Sequence, residues 1–176
     1  MTDITVIVVC AECGLYWPVD AEQPPCSRAG HVHQQHELHR HRTDVALPGD
    51  TTVTAVSFDE RDPYSREAPP AFGLYLDARW QPPWPHRIIA WPDFGVPDDR
   101  GELEAALQDL LDRARNGQRV EVGCLGAHGR TGTALAYLVV LCGHPAADAV
   151  DWVRAHYCSH AVETDEQAAF IAALNA

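Results

Sequence analysis

The chain has 176 residues, 46% of them hydrophobic and 22% charged, and a formal charge of −12, which fits one domain with one core and argues against a two-domain enzyme. So acidic a balance disfavours broad attraction to nucleic acid or an anionic membrane, and any anion must be caught by local geometry. All 13 basic residues are arginine, so Schiff-base chemistry, pyridoxal phosphate anchoring and a Walker-type phosphate loop, all of which need a lysine amine, are excluded.

No apolar run reaches membrane length, and MTDITVIVVC lacks the basic start and small-residue cleavage site of a signal peptide. The expected location is cytoplasmic. Six cysteines, sparse and unevenly spaced, do not make a disulfide scaffold; in a reducing compartment they are expected as metal ligands, a nucleophile or core residues.

In chain order, Ile4 to Val9 is a β-branched run, followed up to His41 by a segment with three cysteines and five histidines but little core material. Alternation from Glu37 to Phe58 around Leu47-Pro48-Gly49-Asp50 predicts a hairpin that leads into a strand over Thr51 to Phe58. The organisation read from this is a Cys/His-rich appendage with its hairpin strand over residues 1–48 and a catalytic domain over 49–176. A polar, proline-bearing loop then runs from Asp59 to Pro70. Strands follow at Phe72 to Asp77 and His86 to Ala90, separated by RWQPPWP; Trp80, Trp84 and Tyr64 either line an entrance or pack the sheet edge.

After Pro97, Asp98 or Asp99 can cap a helix in which Leu103, Ala106, Leu107, Leu110, Leu111 and Ala114 recur at helical spacing, stopped by Asn116-Gly117. A short strand over Arg119 to Val122 comes next. Helices are predicted from about Thr131 to Leu141, from Pro145 to about Tyr157 and from about Glu163 to Leu174. Strands alternating with helices give an α/β class, with a central mixed sheet flanked by helices.

The segment VEVGCLGAHGRTGT puts Cys124 at the end of a buried strand and Arg130 where a helix begins. Between them Leu125, Gly126, Ala127, His128 and Gly129 can turn successive N–H groups inward as an anion nest, and the helix amino terminus adds partial positive charge. Arg130 can hold two phosphate oxygens in a fork. The same field favours the Cys124 thiolate, and the Thr131 hydroxyl can stabilise that sulfur. Read alone, the segment also fits a strand-end cysteine followed by a glycine-rich turn. Upstream, Trp91-Pro92-Asp93-Phe94-Gly95-Val96-Pro97 carries an aspartate between prolines, suited to bring an acid to a leaving oxygen on a closing lid, or else to an ordinary strand-to-helix turn.

Together these stretches resemble the protein tyrosine phosphatase superfamily, with its C-x5-R-[ST] phosphate loop and WPD general-acid loop. Ala161-Val162-Glu163-Thr164-Asp165-Glu166-Gln167 resembles a third family element, whose glutamine positions water. The likeness runs from about Thr51 to the carboxyl terminus and implies a compact, bacterial-type, dual-specificity-sized enzyme. By this likeness Cys124 is the nucleophile, Arg130 the phosphate clamp and Thr131 the thiolate stabiliser. Asp93 is the acid and then the base, Gln167 orients water, and Trp91 is the lid hinge. Residues Leu125, Gly126, Ala127, His128, Gly129 and Arg130 would surround the phosphate. The family's usual histidine before the cysteine is replaced by Gly123, which implies a less depressed thiol pKa.

No cofactor is implied for this chemistry. The expected partner is a phosphorylated protein, with phosphotyrosine leading and phosphoserine or phosphothreonine also open, and no nucleic acid or membrane. A small phosphomonoester (a metabolite, a phosphoinositide or an RNA end) and a phosphate-binding module without turnover stay open beside it.

Cys10-x2-Cys13, then Cys26, His31 and His33, supply the donor types and number of a structural zinc site built from four of the five. Solvated histidines with partly buried thiols, or a redox pair, fit the same residues. A zinc site would tie down a segment too poor in apolar residues to fold alone. Cys142 lies too far along its helix from Cys124 for a disulfide and is expected in the core.

Overall fold

In a computed structural model the protein is described for residues 3–10, 16–18, 26, 29–40, 42–58 and 62–174. The chain divides into two compact units, Met1–Arg40 and His41–Ala176.

The amino-terminal unit holds a three-stranded antiparallel sheet in the order β2-β1-β3, formed by β1 (Asp3–Cys10), β2 (Tyr16–Pro18) and β3 (His33–Arg40). Strand β3 runs opposite β1 along its whole length, from Asp3 against Arg40 to Cys10 against His33.

The larger unit is an α/β fold around a five-stranded mixed sheet of order β4-β5-β8-β6-β7, made of β4 (Arg42–Leu47), β5 (Thr51–Ser57), β6 (Phe72–Tyr75), β7 (His86–Ile88) and β8 (Val120–Cys124). Strands β4 and β5 form the antiparallel hairpin that Leu47-Pro48-Gly49-Asp50 predicts, and the other pairings are parallel. One feature departs from the alternating pattern. Residues 33–40 ladder with β1 and only 42–47 join β5, so the division falls between Arg40 and His41 rather than after residue 48. A period of two assigns faces along a strand but does not choose between two possible partner strands.

Among the described residues four helices follow: α1 (Arg100–Arg115), α2 (Gly129–Leu141), α3 (Ala146–His156) and α4 (Asp165–Ala172). Asp99 caps α1 by accepting the Glu102 N–H at 2.9 Å, and Thr164 caps α4 by accepting the Gln167 N–H at 3.2 Å. The helical stripe of α1 (Leu103, Ala106, Leu107, Leu110, Leu111) is buried with Val53, Ala55, Leu74 and Leu76 of the sheet region and Leu135 and Leu138 of α2 in one continuous core.

Residues of opposite parity face the other way. Val56, Tyr75, Trp80 and Trp84 form a second cluster, with Phe58 and Tyr64 against it, and Tyr75 stacks on Trp80 at 4.2 Å between ring centroids. Trp80, Trp84 and Tyr64 therefore pack the sheet. Under them lies a buried charge, Glu121, which accepts two bonds of 3.0 Å from the Arg66 guanidinium and one from the Tyr75 hydroxyl. Burial, reinforced by the Glu121 charge, holds the Tyr75 phenol far above its ordinary pKa. No helix among the described residues is long and apolar enough to cross a membrane.

Candidate active site

The parallel strand β8 sits between β5 and β6 and delivers Cys124 from the middle of the sheet to the start of α2. This is the place where an open α/β sheet presents ligands, outside the carboxyl ends of its parallel strands. The following loop is pinned by its backbone. Phe58 donates its N–H to the carbonyls of Cys124 and Leu125 at 3.0 and 2.8 Å, and Gly132 N–H reaches His128 O at 2.8 Å. Ala127 takes a left-handed conformation (φ 59°), and its carbonyl accepts the Tyr157 hydroxyl at 2.7 Å from the end of α3. That bond is one reason a non-glycine residue persists in a costly backbone region.

Gly123 shows why the usual histidine is missing: a Cβ there would lie 2.6 Å from Val56 O and 3.2 Å from the Trp80 ring. The Cys124 thiol is buried, and burial pushes its pKa up. The Thr131 hydroxyl, the charge of Arg130 and the amides of Thr131 and Ala127 pull the other way without overcoming it. Loss of water around the sulfur thus works against the favouring of the thiolate that the loop's positive charge and N–H groups supply. Thr131 is wholly buried, and among the described residues its hydroxyl has no hydrogen-bond partner other than that sulfur.

Arg130 is the hub. Its Nη1 donates to Leu76 O at 3.1 Å and to Trp91 O at 3.0 Å, its Nη2 to Asp77 Oδ2 at 2.9 Å, and its Nε lies 3.3 Å from Asp93 Oδ1. The guanidinium side chain is only 4% exposed, so its direction is set by fixed neighbours. Asp77 is held in turn by the N–H and guanidinium of Arg79. Burial alone would raise the Asp77 carboxyl; the Arg79 bonds and the Arg130 charge outweigh it and hold it below the ordinary value.

Asp93 lies in a turn closed by Gly95 N–H to Pro92 O at 3.1 Å, with Phe94 at φ 63° and 57% exposed. Trp91 is buried and donates Nε1–H to Gly95 O at 3.1 Å. Gln167, also buried, donates Nε2–H to the same carbonyl at 3.1 Å and accepts the Glu163 N–H at 2.9 Å, while the Thr164 hydroxyl donates to Phe94 O at 3.0 Å. The start of α4 therefore grips the acid-bearing turn, and that turn reaches Arg130. A thiol, a fixed guanidinium, a loop of amides and a carboxyl beside them can together hold a tetrahedral anion, attack it and protonate a departing oxygen.

Cys124, Leu125, Gly126, Ala127, His128, Gly129, Arg130, Thr131, Asp93 and Gln167 thus converge on one end of the sheet. Asp77, Tyr157 and Glu163 are additions that sequence reasoning missed. Asp77 closes the sixth-strand motif FGLYLD, and a carboxylate just past a buried strand was the available signal. Of the metal candidates, Cys13 and the side chain of Cys10 lie outside the described residues. Cys26 is buried with its Sγ 3.4 Å from His31 Nδ1, and His33 is exposed. Among the described residues no group of three or more His, Cys, Asp or Glu side chains is placed to hold a metal ion.

No family model matches the chain. In solved structures the same architecture recurs in kinase associated phosphatase, in a form with its catalytic-site cysteine replaced by serine (TM-score 0.62, 14% identity, 75% of this chain and 92% of that one). It recurs again in Tk-PTP in its active form (TM-score 0.54, 23% identity, 70% and 90%). The larger unit has the protein tyrosine phosphatase fold. By sequence the chain belongs to the family of the uncharacterized protein MJECL20 of Methanocaldococcus jannaschii, with 35% identity over 109 residues, 56% of this chain and 71% of the relative. The uncharacterized protein MJ0215 of the same organism is 33% identical over 109 residues, 56% of this chain and 66% of that protein.

Proposed function

We propose that this protein is a cysteine-dependent phosphomonoesterase, with phosphotyrosine in proteins as its leading substrate and phosphoserine and phosphothreonine also accepted. The observation that carries the reading is the convergence on Arg130: its guanidinium lies at the head of the loop that begins at Cys124 and 3.3 Å from the Asp93 carboxyl. This convergence supports reading the three as clamp, nucleophile and acid of one site. The Cys124 sulfur, as thiolate, forms a bond to phosphorus while the ester P–O bond breaks, and Asp93 gives its proton to the departing oxygen. Water oriented by Gln167 and deprotonated by Asp93 then displaces phosphate and restores the thiolate. The amides of residues 125–130 and Arg130 stabilise the charge on the transferring group in both steps.

The charge of −12 supports a substrate with one phosphate on an uncharged or basic carrier over a phosphoinositide or an RNA end, because attraction comes from the loop alone. We assign its work to the cytoplasm, where thiols stay reduced. The test is phosphate release from phosphotyrosine, phosphoserine and phosphothreonine peptides, nucleotides and phosphoinositides. Release from phosphotyrosine peptides first is expected; binding without release from any of them would show a phosphate-binding module instead.

The pairing of Cys26 with His31 and the cross-strand register of Cys10 with His33 suit the thiolate and imidazole donors of zinc. We propose a structural zinc in the amino-terminal unit, checked by metal content of protein purified without chelator; absence of zinc rejects it.

A further inference from the structure

Gly129, the first residue of α2, precedes Arg130 and contributes one of the loop amides assigned to the phosphate. The carboxylate of Glu163 packs directly against this residue. The fit depends on glycine: a Cβ on Gly129 would collide with Glu163 Oε2 and come within 3.1 and 3.3 Å of the two Gln167 amide atoms. Gln167 fixes the backbone of Glu163 by accepting its N–H at 2.9 Å. On the other side of the pocket Asp93 Oδ1 faces Arg130 Nε. A carboxylate thus stands against each of two residues, Gly129 and Arg130, that a bound phosphate would use.

Burial pushes the Glu163 carboxyl up, the negative charge of Asp93 adds to this, and the Gly129 amide and Arg130 oppose it. Arg154 of α3 and His160 line the same 400 Å³ cleft as Glu163 and Phe94. The Cys158 thiol feels the Glu163 charge, His128 of the phosphate loop lies near His160 at 6.3 Å between ring centroids, and α4 itself adds Asp165 and Glu166 in its first turn. The Arg154 guanidinium is engaged by the carbonyls of Ala161 and Val162 at 3.0 and 2.8 Å.

We propose that Glu163, packed against Gly129, is a resident counter-anion of the phosphate site that takes up a proton from solvent when a tetrahedral dianion binds and becomes a donor onto an anion oxygen. The inference rests on the reading of residues 124–130 as a phosphate site. Its physical basis is that two like charges on one set of donors cannot both stay ionised, and the group with the higher proton affinity neutralises. Glu163 is then a binding residue that couples phosphate affinity to pH.

The experiment is calorimetry with tungstate, a tetrahedral dianion without a titrating proton in the neutral range, in buffers of different ionisation enthalpy. The wild type is expected to take up about one proton, with affinity falling by up to about tenfold per pH unit on the alkaline side. In Glu163→Gln, and in Glu163→Ala as a second variant, the uptake disappears, and the Gln variant binds about tenfold more tightly at alkaline pH. Asp93→Asn keeps the uptake. Uptake retained in both Glu163 variants, pointing to a histidine, or lost in Asp93→Asn overturns the proposal. Lack of uptake in a wild type that does bind also overturns it. A wild type that binds no tungstate sinks the phosphate-site reading itself, and the proposal with it.

Discussion

The loop that follows Cys124 and the turn that carries Asp93 meet at Arg130, yet they are built in opposite ways. The first is part of the core: it joins the central strand β8 to the buried helix α2, and Cys124, Ala127, Arg130 and Thr131 are all buried. The second lies at the surface, with Phe94 57% exposed and the Asp93 side chain 41% exposed. It is tied down by single hydrogen bonds from Trp91, Thr164, Gln167 and Arg130. In the proposed reading Cys124 is a nucleophile that must be held still, and its position draws on packing that collapses only with the fold. Asp93, read as an acid that meets the leaving group and then lets product out, is better held by a few bonds that break one at a time.

The largest expected effect breaks the loop side: Cys124→Ser reduces hydrolysis of an aryl phosphate to the uncatalysed background, with the thermal midpoint nearly unchanged. Asp93→Ala lowers kcat by about 10²–10⁴, more for an alkyl than for an aryl phosphate, because the poorer leaving group needs the proton more. The stability of the two regions should diverge as well. Leu135→Ala, in the wholly buried core of α2, is expected to cost about 2–5 kcal/mol in denaturant unfolding, whereas Phe94→Ala stays within about 0.5 kcal/mol.

A subtler change lies at the hub. Asp77→Asn removes the charge that steers Arg130, and about a tenfold rise in KM with a smaller fall in kcat is expected from steady-state kinetics. The smallest effect concerns the sulfur. Because burial holds the Cys124 thiol up, less thiolate is present below its pKa, so the rate of alkylation by iodoacetate rises with pH. Thr131→Ala, which removes a bond to the sulfur, moves that profile to higher pH by about one unit; a shift to lower pH would contradict the placement of the hydroxyl.

Helix α1 was legible from its apolar spacing down to a cap at Asp98 or Asp99, between which the structure selects Asp99, and the two motif loops were legible because their chemistry lies within a few consecutive residues. Asp77 and Tyr157 were not. One lies 53 positions from the arginine it holds and the other 30 from the carbonyl it caps, and no short-range pattern relates such partners. Gly123 was visible only as a departure from the usual histidine; the close approach of Val56 O across the sheet explains it.

By itself, the sequence determined the α/β class, the candidate nucleophile, clamp and acid, and an acidic surface that leaves anion capture to local geometry. These follow from residue types at short spacing and from total charge, neither of which needs a fold. The tertiary structure decided three other things: where strand pairing divides at Arg40, which way the thiol pKa moves, and that Asp77 and Glu163 join the site. Burial and long-range pairing set these, and both depend on which distant segments the packed core brings together.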